Sequence, residues 1–135
     1  MARIPNAIRS RIRERAKGRC EYCYLPEGIL RLPHQIDHIY PPRHGGTDDE
    51  YNLTWACFYC NHSKGTDIGI VDFESQERVW LFNPRQDDWD SHFEMMENGL
   101  INGKTVMGRA TARLLLINTP DMIEIRRFLI QAGLW

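Results

Sequence analysis

Nowhere does the sequence run to roughly eighteen uncharged apolar residues in a row, which excludes an ordinary membrane-spanning helix. The segment Met1 to Arg13 is charged, and no apolar run follows it that is long enough for a signal peptide. A soluble, cytoplasmic protein with no membrane partner is therefore expected. Repeats and low-complexity tracts are missing too, so nothing suggests a repeat array. Cysteine is scarce, with four in the chain, and all four fall into two Cys-x-x-Cys pairs, Cys20/Cys23 and Cys57/Cys60. A reducing cytosol disfavours disulfides, and two tight pairs then favour one tetrahedral zinc site that uses every thiol.

Net charge is also nearly missing, at −1, but the small total hides an asymmetry. Residues 1 to 19 hold seven Arg or Lys against the single acid Glu14, while the remainder holds ten basic against seventeen acidic residues. A polyanion would meet the N-terminal arm first. At 135 residues and 42% hydrophobic content the chain can bury one modest core. The expected layout is residues 1–66 as a site-bearing core, with residues 67–135 as an extension packed on it.

Ile8, Ile12 and Ala16 recur every four positions, with Arg9, Arg11, Arg13, Arg15 and Lys17 on the other faces. This predicts a basic amphipathic helix from Pro5 to Lys17, stopped at Gly18. Residues 29 to 39 alternate loosely around Pro33, which predicts a short hairpin with Asp37-His38 on its second strand. Arg43 to Glu50 should form an exposed loop, Leu53 to Ala56 a return strand and Phe58 to Lys64 a short helix. Further on, short strands around Val79 to Phe82, Phe93 to Met96 and Leu100-Ile101 are expected, with Asn102-Gly103 as a hairpin turn. Two helices follow, one from Thr105 to Ile117 and one opened by Thr119-Pro120 and closed at Gly133.

The two Cys pairs enclose Asp37-His38, Gly45-Gly46 and Asn52-Leu53, and the second pair runs into Asn61-His62-Ser63-Lys64-Gly65. In this order the elements closely resemble the HNH endonuclease family, over roughly residues 12 to 66. The resemblance implies an α+β fold: a ββα-metal core with a zinc clamp, here with a basic N-terminal helix and a C-terminal extension of short strands and two helices. It also implies hydrolysis of DNA, with RNA as an alternative substrate. Such hydrolysis needs an activated water, a cation to offset developing charge and groups that position both. In the implied division Asp37 binds a divalent cation such as Mg²⁺, and His38, whose ordinary pKa lies near neutrality, takes the proton. Neighbours on a strand point to opposite faces, so a twist or bulge is expected to reconcile this pair.

Asn52, at the middle family position, cannot act as acid or base and is expected to hold the loop and orient His38. The last family position is commonly His but here is Asn61, whose amide oxygen can ligate a hard cation. His62 is the competing ligand, and one step along a helix turns a side chain by about 100°, so the two are alternatives. Lys64 and Arg43 are expected at substrate phosphate, more weakly also His44, whereas His34 and His92 are expected to be structural. Trp80, Phe82 and Trp89 should pack in the core rather than stack on bases. Residues 79 to 131 resemble an extension of one bacterial HNH subgroup, and Arg109 and Arg113 share a face there. Two rival readings are a zinc-stabilised nucleic-acid-binding module without catalysis and a protein-interaction domain on the same scaffold.

Overall fold

The fold, from a computed structural model, is described for residues 3–135; the first two residues of the charged N-terminal segment lie outside the described part. It is α+β, with short antiparallel strand pairs and helices around them. Helix α1, Asn6–Arg15, lays Ile12 against Leu53 and Trp55, with Ile8 and Ala16 partly covered beside them. The expected stripe faces inward. The helix stops two residues before Lys17, because Lys17 and Gly18 both turn into the left-handed region (φ 56° and 69°) and Gly18 N–H returns to the Arg13 carbonyl.

Strand β1, Gln35–His38, pairs antiparallel with β2, Leu53–Ala56, in a regular register from Gln35/Ala56 to His38/Leu53. Asp37-His38 therefore lies on the first strand of the pair, and residues 29 to 34 form no strand, contrary to the expected hairpin. Pro33 has no N–H to give to a ladder, whereas β2 is buried along its whole length and must satisfy its backbone within the protein. Helix α2, Phe58–Lys64, starts directly behind Cys57, whose Sγ caps it by accepting the Cys60 N–H.

Strands β3, Gly69–Val71, and β4, Arg78–Trp80, form a second pair. A short helix α3, Trp89–His92, capped by Asp88, leads into β5, Phe93–Met95, which pairs with β6, Ile101–Gly103. The turn between them is Asn98-Gly99, with Gly99 at φ 92°, and not Asn102-Gly103. Gly103 serves packing instead, since a Cβ there would collide with the Gly108-Arg109 backbone of α4, Val106–Leu114. Helix α5, Pro120–Gln131, opens with the Thr119 hydroxyl accepting the Met122 N–H, as its sequence predicts.

One cluster of buried side chains joins all four cysteines to Phe82, Trp89, Phe93, Ile101, Leu115, Met122 and Leu129. Phe82 and Trp89 are thus core residues, while Trp80 is exposed. Among the described residues no helix is long and apolar enough to cross a membrane.

Candidate active site and metal centre

The Cys20–Cys23 turn is closed by the Tyr24 N–H bonding the Cys20 carbonyl at 2.8 Å. Tyr24 adopts φ 64°, unusual for a residue with a side chain, and its ring stacks on Trp89 with centroids 4.3 Å apart. The second pair is held by α2. All four Sγ atoms lie within 4.8 Å of one another, are buried and form no disulfide. Cys23 and Cys57 Sγ are 3.8 Å apart, and four sulfurs about 2.3 Å from a central zinc would stand about 3.8 Å apart. Hydrogen bonds from Cys20, Cys23 and Cys60 hold the Cys57 thiol far below its ordinary range, while the same crowding, led by Cys20, pushes Cys23 and Cys60 up. A cation resolves that conflict by letting all four ionise, so the set is compatible with a structural zinc ion.

The enclosed Asp37 and His38 do face opposite sides, and no bulge brings them together. Asp37, 5% exposed, lies against α2: its Oδ2 accepts the Tyr22 hydroxyl at 2.9 Å and stands 3.3 Å from Lys64 Nζ. Burial pushes its carboxyl up despite Lys64 and Tyr22, which pull it down. Lys64 is only 2% exposed and also donates to the His38 carbonyl at 2.9 Å, so it is an interior ion-pair partner rather than the exposed phosphate contact expected. Tyr22 carried no sequence signal for this contact.

His38 turns the other way, with Nε2 2.8 Å from Asp48 Oδ1. An ionised carboxylate only accepts, so Nε2 carries the proton and Nδ1 is left with the lone pair. In the sequence Asp48 is one acid among several in an exposed loop. Asn52 binds both edges of that loop: Oδ1 accepts the Tyr40 N–H, and Nδ2 donates to the Tyr40 and Thr47 carbonyls at 2.9 and 2.7 Å. Gly46 is part of this lock, because a Cβ there would collide with the Tyr40 carbonyl oxygen and sit 2.9 Å from Asn52 Nδ2. Gly45 has open space but φ 85°. Gly46→Ala is therefore expected to lower stability by about 1–3 kcal/mol through overpacking, against about 1 kcal/mol for Gly45→Ala through its backbone alone. Thermal melts of the two variants check this, and the reverse order would refute the lock.

On α2, Asn61 Nδ2 donates to Gln35 Oε1 at 2.7 Å, which leaves Oδ1 as the amide's free acceptor. Asn61 and Lys64 project from successive turns onto the β1 face that carries Gln35 and Asp37. His62 is exposed and stacks on Phe58, 5.6 Å between ring centres. The Asp37 carboxylate and the Asn61 amide are hard oxygen donors, the chemistry a divalent cation takes. The carboxylate already balances one positive charge, so a second cation there would share it with Lys64 or displace it.

Arg43 stays exposed on a single 3-10 turn, while His44 Nε2 binds the Thr66 carbonyl at 2.9 Å. His34 is buried on the Leu25 carbonyl, and His92 bonds Thr105. The basic face of α1 is largely spent within the chain. Arg11 pairs with Glu50 at 2.6 Å, Arg13 with Glu27 at 2.7 Å, Arg15 with the Glu50 and Leu53 carbonyls, and Arg9 lies over Trp55. Arg109 is tied to Asp72 and Glu74, and Arg113 lies on Phe73.

Comparison with known families gives a match to the HNH endonuclease family over residues 20–67, from the first cysteine to just past α2. The curated Septu protein PtuA of Bacillus mycoides (strain KBAB4) is 26% identical over 135 aligned residues, covering 81% of this chain. The likeness therefore reaches beyond the HNH segment into neighbouring parts of the chain. The match spans only 19% of that relative's length. No solved structure matches the chain.

Proposed function

We propose that the protein is a metal-dependent endonuclease that hydrolyses phosphodiester bonds of DNA, with His38 as general base. The supporting observation is the His38–Asp48 pair inside the HNH-like segment, on a strand whose other face carries Asp37 and, beside it, the Gln35 that Asn61 bonds. His38 Nδ1 takes a proton from water as the water oxygen bonds to phosphorus and the bond from phosphorus to the 3′ oxygen breaks. Asp48 fixes the ring's tautomer and stabilises the imidazolium that results. Asn52 holds the loop that carries Asp48. A divalent cation such as Mg²⁺, which Asp37 and Asn61 would hold, would supply charge to offset that on the phosphoryl and leaving oxygens once β1 twists enough on binding for Asp37 and His38, here on opposite faces, to reach one phosphate. In this reading Arg43, exposed and without an ion pair among the described residues, meets a substrate phosphate.

Lys64 in contact with Asp37 favours a second reading, a zinc-stabilised nucleic-acid-binding module without catalysis. Supercoiled plasmid separates the two. Nicking is expected with Mg²⁺, Mn²⁺ or Ni²⁺ and not with EDTA, whereas retained DNA binding without cleavage under every metal would establish the module. Asn61→Ala is expected to weaken the activating metal by more than the roughly ten-fold that loss of an outer-shell partner costs, with His62→Ala close to unchanged. A larger loss in the His62 variant would transfer the ligand role to that residue.

A further inference from the structure

Arg126, on α5, is 0% exposed. Its Nε donates to the Gly99 carbonyl at 2.6 Å and its Nη2 to Asn118 Oδ1 at 2.9 Å, while its Nη1 is buried with no hydrogen-bond partner. Among the described residues no carboxylate pairs with it. A guanidinium cannot shed its proton under ordinary conditions, and an uncompensated ion in an apolar interior is among the costliest things a fold can hold. Negative charge in the same core would offset that cost.

The same core contains such a charge. Met122 and Leu129 of α5 pack in the buried cluster that includes Cys20, Cys23, Cys57 and Cys60. Burial works against the ionised form of Arg126, and the groups that favour it are Cys23, Cys60 and Cys57. Four thiolates around one Zn²⁺ leave a net double negative charge, and the cluster's own backbone offers it the Cys60 N–H on Cys57 Sγ. Two opposite charges thus share one apolar core, each without a full partner of its own.

We propose that Arg126 is the counter-charge of the zinc tetrathiolate, so that α5, far outside residues 20–67, completes the metal centre. The Gly99 and Asn118 contacts hold the guanidinium in place, and with Nη1 unpartnered its charge is answered through space by the thiolates rather than by a hydrogen bond. The helical extension is on this account part of the clamp rather than an ornament on it. The proposal rests on the four thiols holding zinc.

Zinc affinity measured by competition with a chromogenic chelator tests it on the full chain. Arg126→Met is expected to bind zinc roughly 10–100-fold more weakly, the usual effect of removing an outer-shell partner. Arg126→Lys, which keeps the charge, should stay within a few-fold of wild type. Thr119→Ala, which removes the α5 cap without touching charge or either contact of the guanidinium, should melt lower yet hold zinc as tightly as wild type. Equal affinity in Arg126→Met and wild type would overturn the proposal, as would an equal loss in all three variants, which would mean packing alone. If Arg126→Met does not fold, zinc release from Arg126→Gln and Arg126→Lys decides: fast release from the Gln protein only is expected, and equal release from both overturns it. Wild-type protein that takes up no zinc would instead sink the clamp itself.

Discussion

Cys57→Ser is expected to lose the bound metal and, with it, the cooperative fold. Cys57 is 1% exposed, supplies one of four clustered sulfurs and caps α2 by accepting the Cys60 N–H on the same atom. A hydroxyl is a far poorer zinc ligand than a thiolate, so the substitution breaks the site and the cap together. A structural zinc contributes an apparent 10–16 kcal/mol, roughly, in small domains, and the whole net stability of a domain is about 5–15 kcal/mol. The loss of the first term therefore exceeds what remains. The damage should spread, because the cysteines sit in one buried cluster with Phe82, Trp89, Phe93 and Leu129. Metal analysis should find about one zinc per wild-type chain and none in the variant, and circular dichroism should lose its sharp thermal transition. A zinc-free variant that still melts cooperatively near the wild-type temperature would disprove the clamp. Strong chelators should act on the wild type as the substitution does.

His38→Ala is expected to slow plasmid nicking by roughly 10²–10⁴-fold, the usual contribution of a positioned general base. Each factor of ten corresponds to about 1.4 kcal/mol on the barrier. The fold should survive, with a stability cost of about 1 kcal/mol, because the ring packs at the end of β1 against an exposed loop acid rather than in the main core. Asp48→Ala should fall between, since the base remains but its tautomer and orientation are freed. Nicking rates at saturating metal, with zinc content and melting checked in parallel, separate lost chemistry from lost structure. Undiminished nicking by the His38 variant would remove it from the role of base.

Several parts of this picture were legible in the chain, each for a local reason. Cys-x-x-Cys spacing brings two sulfurs to one ion within a single turn. Thr119-Pro120 opens a helix because a hydroxyl accepts an N–H two or three residues on and proline fits the first turn, and the Thr119 oxygen does accept the Met122 N–H. Alternation along a strand separates Asp37 from His38 whatever lies around them.

Other parts were not legible, and the failures share a cause. Asn98-Gly99 and Asn102-Gly103 look alike as dipeptides, yet the second lies within β6, where Gly103 lets α4 approach. Lys64 reads as an exposed lysine until β1 is laid against α2, when it becomes the cation on Asp37. The arginines of α1 read as a free basic face, but Glu27 and Glu50, distant in sequence, take up Arg13 and Arg11.

Cysteine spacing, strand parity and helix caps follow from covalent geometry and from bonds spanning a few residues, so the zinc-clamp pattern, the HNH resemblance and the separation of Asp37 from His38 could be read from the order of residues. Which acid orients His38, which cation rests on Asp37 and which buried charge answers the cysteines depend on segments tens of residues apart. Burial and electrostatics between such segments exist once the chain is packed, and no local pattern encodes them.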